Sequence, residues 1–388
     1  MKKKILYILL IATLITSGII LLENTENRTQ KTEEIETTEE PQEIGREEVE
    51  TAIKLAGEKL KDDLKTNGQF NYIYDHASDY TTDSYSMVRH ISGSNALVAL
   101  YKFTKDESYI EAAKTSIDFF MQYLITEGNK SYILYEYENE NADTGSQALA
   151  LITLINYENE TGDIQYSDTI TQLANFLLSI QNEDGSYKNY YPKDDPDYAM
   201  ATELFTGEAN FAIMHMLERT GETKYLAALQ KSYDFVKNYF ESTYSSPIVS
   251  WNSNAFARLY KYTDNAEYAD LVIEMTDWLR NLQYKEDNID DPLYVGGFRT
   301  EDPEQWLTCT TGAFGEGINA GLSAIRDQGD KDLEESYDET ISLAIKYLLS
   351  VQHEDGSFNA SPSQEWVRID FNTHAIMTLL GALENYVY

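Results

Sequence analysis

Carboxylates, amides and aromatic rings gather at the start of the most apolar stretches of this sequence. Glu203 and Glu208 stand before an apolar run beginning at Phe211, and Asp370 lies between Arg368 and His374 before the last such run. A carboxylic acid paired with a second carboxylate can protonate a leaving oxygen while its partner acts as base or nucleophile, the equipment needed to cleave a glycosidic bond. The acid role falls to Glu208 or Glu203 and the second role to Asp370. Arg89 and His90 suit binding of hydroxyls or a uronate carboxylate, Tyr72, Tyr74 and Trp251 offer ring faces for a sugar, and Asn254, Glu316 and His374 add hydrogen-bonding groups. If the sugar is a uronic acid, an arginine neutralises the carboxylate while a histidine or tyrosine removes the C5 proton; Tyr72 or Tyr74 then matters more than the glutamates.

Each position also has a plainer reading. Glu208 follows Thr206-Gly207 and reads equally well as a first-turn capping partner, and Asp370 could cap its own helix. His215, inside an apolar run, reads as a core histidine. Arg89-His90 precedes an apolar helix without a capping residue, which favours a place at a binding mouth. Asp194, Asp195 and Asp197, like Asp287, Asp290 and Asp291, could attract Ca²⁺, but neither cluster has EF-hand spacing. The expectation is no metal and no cofactor.

These residues need a scaffold, and the scaffold is a repeat. Gln181-Asn182-Glu183-Asp184-Gly185-Ser186-Tyr187 recurs as Gln352-His353-Glu354-Asp355-Gly356-Ser357-Phe358, 171 residues later. With roughly 57 residues per helical hairpin, that is three units, or half a ring. One set of helices carries a one-sided apolar stripe, as in Ile170, Leu173, Leu177 and Ile180, with Tyr109, Tyr166, Tyr225, Tyr268 and Tyr337 marking the phase. A second set, at 96–101, 148–155, 211–217, 255–260, 318–325 and 375–383, is apolar nearly all round and must be buried. Twelve helices in six hairpins make an all-α (α/α)₆ toroid, closed by an N-terminal helix at about 47–64. Its inner helices gather their N-terminal turns at one mouth, with short β pieces expected at 70–74 and 132–137.

Composition sets limits. With 66 acidic against 30 basic residues, the formal charge of −36 argues against nucleic acid and anionic lipid as partners. The single cysteine, Cys309, excludes an intramolecular disulfide and any zinc site needing two cysteines. A basic start and an uncharged apolar run at 5–22 read as a membrane anchor over 1–22, with a cleaved signal peptide as the alternative. An acidic linker over 23–45 leads to the toroid at 46–388. The body is expected outside the cell, anchored or secreted, and monomeric.

The Gln-x-x-x-Gly-x-aromatic repeat resembles that of terpenoid cyclases and protein prenyltransferase β subunits. Gly296-Gly297-Phe298, Cys309, Asp370 and His374 resemble the prenyltransferase zinc region, although Leu307 stands where an aspartate ligand is required. Lys224-Tyr225-Leu226-Ala227-Ala228 and Ser108-Tyr109-Ile110-Glu111-Ala112-Ala113 are similar to the outer helices of six-hairpin carbohydrate-active proteins, which include glycoside hydrolases, uronate lyases and sugar epimerases. These resemblances imply the toroid alone; the glycan partner is read from the carboxylates, amides and aromatic rings at the mouth. The leading expectation is a glycoside hydrolase on extracellular or cell-surface glycan. A uronate lyase or C5-epimerase, a non-catalytic glycan- or protein-binding toroid and a terpenoid cyclase are the alternatives.

Overall fold

The computed structural model describes residues 44–136, 140–300 and 302–388. The expected anchor at 1–22 and almost all of the expected linker lie outside the described residues. No described helix is long and apolar enough to cross a membrane.

Twelve α-helices are found among the described residues. The outer set is α1 (Arg46–Asp62), α3 (Glu107–Met121), α5 (Ser167–Ser179), α7 (Thr223–Thr243), α9 (Ala266–Arg280) and α11 (Lys331–Ser350). The inner set is α2 (Met87–Thr104), α4 (Thr144–Thr161), α6 (Ala199–Thr220), α8 (Val249–Thr263), α10 (Pro303–Gln328) and α12 (Ile369–Glu384). Each inner helix packs on the next, and α12 packs on α2 and α1, so the ring closes as expected.

Local chemistry explains the hairpins. Five inner helices end on a left-handed residue, Lys105, Gly162, Gly221, Asp264 or Gly329. Four of these follow a threonine, Thr104, Thr161, Thr220 or Thr263, whose hydroxyl donates to the carbonyl one turn back and accepts the N–H two residues on. An acidic or amide residue then opens the outer helix: Asp106, Asn265 and Asp330 accept first-turn N–H groups. The inner-to-outer turns are therefore short, and the long connections fall at the opposite rim.

There the glycine turns lock neighbouring outer helices together. Gln181 Nε2 donates to the Ala228 carbonyl on α7, Gln283 Nε2 to Thr340 on α11 and Gln352 Nε2 to Ala52 on α1, the last bond closing the ring. Gly356, at φ +89°, sits so tightly on the Leu55 carbonyl that a Cβ would lie 2.1 Å from its oxygen. The rings that follow, Tyr187 and Phe358, are fully buried, each stabilising its turn by about 1.5–3 kcal/mol.

The same rim carries the β pieces. Strands β1 (Ile73–Asp75), β2 (Tyr80–Thr81) and β7 (Trp366–Arg368) form an antiparallel sheet in the order β2-β1-β7, with Ile73 opposite Arg368. Strands β3 (Leu124–Glu127) and β4 (Lys130–Ile133) form a hairpin, and β5 (Ala142–Asp143) pairs with β6 (Tyr190–Tyr191). The expected strand at 70–74 is displaced because Phe70 is drawn back to bridge Leu64 across the Gly68 turn, a fourth copy of the glycine turn. The 132–137 strand likewise begins and ends earlier, its pairing fixed by the turn at Gly128; residue 137 lies outside the described residues.

Candidate functional site

Partly exposed residues recur at helical spacing along the inner helices and mark the faces turned to the ring axis: Trp251, Asn254 and Arg258 on α8, Cys309, Ala313 and Glu316 on α10, and His374 and Met377 on α12. Two carboxyl clusters occupy the mouth end of this wall.

The first joins α4 and α6. The pairing of Asp143 with Tyr190 sets Asp143 at the N-cap of α4, where it accepts from Ser146 N at 2.6 Å and Ser146 Oγ at 2.7 Å. Glu208 lies in the third turn of α6, which begins at Ala199, so first-turn capping is ruled out. Its side chain is buried, and Oε2 has no hydrogen-bond partner among the described residues. Gly145 makes the room, since a Cβ there would stand 2.3 Å from that oxygen. Burial first, and then the neighbouring Asp143 carboxyl, push the Glu208 pKa up to about 8 against the pull of Arg89, so the group is a neutral acid at neutral pH. Burial also raises Asp143, opposed by its Ser146 bonds and Arg89. One turn along α6, the Phe211 ring lies 5.9 Å from that of Trp251.

The second cluster joins α2, α10 and α12. The β1–β7 pairing places Arg368 directly before α12, and its Nε and Nη2 donate to the two oxygens of Asp370 at 2.5 and 2.7 Å. Arg89 Nε adds a bond to Asp370 Oδ2 at 2.8 Å, and Cys309 Sγ lies 3.6 Å from the same oxygen. Burial alone would raise Asp370, but Arg368 and then Arg89 hold it well below the usual carboxylate range. The guanidinium of Arg368 stacks 4.4 Å from the Trp306 ring centroid, whereas Arg89 keeps about a third of its side chain exposed, 34%. On the axial face below, His374 Nδ1 meets Glu316 Oε1 at 2.6 Å. Burial opposes charging of this imidazole, yet the Glu316 bond raises its pKa overall. Trp251 presents an edge to His374, with centroids 6.4 Å apart.

Arg89 connects the clusters, since it bonds Asp370 and also acts electrostatically on Glu208 and Asp143. Tyr72 lies close enough to affect the same guanidinium. Of the residues expected at the mouth, Glu208, Asp370, Arg89, Tyr72, Trp251, Glu316 and His374 are brought into this region, and Asn254 lies one turn below Trp251 with its amide bonded to the Ser250 carbonyl at 3.0 Å.

Three expectations fail geometrically. His90 is buried among Phe70, Phe119 and Phe120, its Nε2 facing the Ser116 carbonyl at 3.0 Å and its Nδ1 the Tyr85 hydroxyl at 2.5 Å. Burial lowers its pKa to about 4, and it serves as a neutral core group, not a mouth residue. Glu203 turns outward and accepts from Tyr239 on outer helix α7 at 2.7 Å. Tyr74 lies on the outer rim, donating to Asp79 at 2.9 Å. His215 is the core histidine expected: its Nδ1 donates to Phe211 O at 2.9 Å, leaving Nε2 to accept from Arg258 at 2.9 Å.

No group of three or more histidine, cysteine or acidic side chains among the described residues is arranged to hold a metal ion. Cys309, Asp370 and His374 do converge, but two arginines occupy Asp370, and burial followed by Asp370 pushes the Cys309 thiol up to about 12. Asp194 turns an oxygen to the backbone N–H groups of Asn189 and Asp195.

Nothing in the sequence pairs Asp143 with Glu208. The spacing of Asp143 to Ser146 advertises a helix cap, and the approach of Glu208, 65 residues on, arises only from the packing of α4 against α6.

No protein-family profile matches the chain, and no curated protein matches it. Solved structures do. The α-1,6-mannanase GH76A of Salegentibacter sp. HEL1_6 is 13% identical, with 87% of this chain and 99% of that chain covered and a TM-score of 0.67. The cellobiose 2-epimerase of Bacillus thermoamylovorans B4167 gives 13%, 88%, 99% and 0.67. An unsaturated glucuronyl hydrolase specific for heparin gives 12%, 88%, 99% and 0.63. The chain therefore has the six-hairpin (α/α)₆ toroid fold seen in these carbohydrate-active proteins; at this identity the likeness speaks for the fold alone. A variant of the same mannanase with two consecutive aspartates changed to asparagine is inactive and was captured with α-1,6-mannotriose.

Proposed function

We propose that this protein is a carbohydrate-active enzyme, a glycoside hydrolase in which Glu208 is the general acid and Asp143 the partner carboxylate. The observation that carries the reading is the buried Glu208 acid: neutral at neutral pH, beside a second carboxyl group, and with one oxygen that has no partner among the described residues. Such a group can give a proton to a departing glycosidic oxygen, and Asp143 can then serve as base or nucleophile. Asp370, first expected in that second role, is held by two guanidinium groups that make it a weak base, whereas Asp143 is raised, so we assign Asp370 to positioning Arg89 and Arg368. We place the body outside the cell on the strength of the basic and apolar 1–22 segment.

A second reading is favoured by one specific feature. The His374–Glu316 pair on the axial wall couples an imidazole to an orienting carboxylate, suiting proton removal from a sugar carbon by an epimerase or lyase, with Arg89 neutralising a uronate. Release of reducing ends, absorbance of unsaturated uronate and exchange of substrate carbon-bound hydrogen with D₂O, measured on a panel of neutral and uronate glycans, separate the two. Hydrolysis abolished by Glu208→Gln or Asp143→Asn supports the first reading. Unsaturated product or exchange abolished by His374→Gln, with hydrolysis absent throughout, overturns it in favour of the second.

A further inference from the structure

A cavity of about 600 Å³ opens beside the mouth, where the β1–β2 loop meets the turn after α11. Its wall includes Lys59, Tyr74, His76, Thr81, His353 and Asp355. The two imidazoles stack across the ring-closure seam with centroids 4.1 Å apart, and His76 Nε2 is 3.0 Å from Ser357 Oγ, so this wall is built from both ends of the folded body. A smaller void, lined by Tyr72, Arg368 and Asn372 among others, shares Asp63, Asn71 and Tyr74 with it and runs toward the second carboxyl cluster.

The chemistry of the wall selects a ligand class. Its one cation, Lys59, is held by Asp63 at 2.7 Å and faces Asp355 at 4.0 Å, leaving no free positive charge for an anion. Burial and the neighbouring His353 lower the His76 pKa and favour neutral imidazole. The same residues form no metal-binding group. Hydroxyl, amide, imidazole and carboxylate edges beside a tyrosine suit a neutral, polyhydroxylated molecule.

We propose that this rim cavity is an accessory subsite for an uncharged stretch of a glycan whose reacting unit lies at the axial mouth, making the preferred substrate an oligomer long enough to reach both. The proposal rests on the carbohydrate reading above. It accounts for Tyr74, which the sequence suggests for sugar contact but which stands on the outer rim.

Calorimetric titration of the full-length chain with α-1,6-mannooligosaccharides and β-1,4-glucooligosaccharides, from dimer to hexamer, tests it. The expected result is affinity rising with length in one series by about tenfold, the worth of one or two neutral hydrogen bonds. Tyr74→Ala and the cavity-filling Thr81→Trp should each flatten that rise while leaving dimer binding unchanged. Thr81 is exposed on an edge strand, so its replacement tests the cavity without removing a seam contact. A length dependence absent from wild type, or preserved in both variants, overturns the subsite and leaves the carbohydrate reading standing. Failure of every oligomer to bind wild type overturns both.

Discussion

Glu208 and Asp370 are both buried carboxyl groups on inner helices near one mouth, yet among the described residues one keeps an oxygen without a partner and the other has both engaged. The difference lies in their neighbours. Glu208 is buried against Gly145 and beside the Asp143 carboxyl, and burial and that second carboxyl both favour the proton staying on. Asp370 meets two guanidinium groups that favour its loss. The unpaired carboxyl is equipped to give up a proton in a reaction, and the saturated one to hold two cations in place.

The sharpest way to break this contrast is to replace each carboxyl by the amide of the same shape. Glu208→Gln is expected to reduce glycoside turnover by about 10²- to 10⁴-fold, the usual range for a general acid, with the melting temperature unchanged or raised. Asp370→Asn leaves Arg89 and Arg368 short of a counter-charge and is expected to cost about 3–5 kcal/mol in urea unfolding. Turnover surviving Glu208→Gln but lost in an Asp370→Asn protein of wild-type stability would reverse the two assignments.

The pH dependence of stability should also carry opposite signs. The unfolded Glu208 carboxyl loses its proton near 4.5, while the folded one keeps it to about 8, so the folded state binds more protons between these values and its stability falls as pH rises through them. Asp143, also raised, adds in the same direction. Asp370 is lowered: its contribution is present above its unfolded value of 3.8 and lost as pH falls through the folded value. Denaturation midpoints measured across pH should show Glu208→Gln removing part of the decline toward pH 8 without altering the acid limb.

The scaffold offers a smaller comparison. Gly356 and Gly329 both have positive φ, but only at Gly356 would a Cβ strike another backbone; at Gly329 nothing lies within 4 Å. Gly356→Ala should therefore cost about 1–3 kcal/mol, combining strain with loosening of the seam to α1, and Gly329→Ala less, as read from urea midpoints. Equal losses would mean that the seam adds nothing beyond the left-handed backbone.

That pair also shows what could be read in advance. The ring, its helix count and its closure were legible because Gln181–Tyr187 and Gln352–Phe358 bridges recur in sequence and the inner and outer helices differ in apolar pattern. The Thr-x-acid turns at 104–106, 161–163 and 220–222 offered a further repeat signal. The site was less legible because a residue's direction on a helix depends on where the helix starts. Beginning α6 at Ala199 rather than near Thr206 carries Glu208 into the third turn and sets Glu203 against the outer layer. Arg89 and His90 are adjacent in sequence, but the first reaches Asp370 and the second enters the aromatic core.

Glu203 provides the finest test of that helix phase. Its carboxylate accepts from Tyr239 at 2.7 Å on α7, away from the axial face, so Glu203→Gln should cost about 1 kcal/mol and leave turnover intact. Tyr239→Phe should cost a similar amount, and the double variant less than the sum, because the two share one bond. Additive losses would mean that the bond contributes nothing in solution. A hundredfold fall in turnover from Glu203→Gln alone would carry a stronger message: the N-terminal part of α6 would have to turn Glu203 toward the axis in the working enzyme, and the acid role would pass from the third turn to the second.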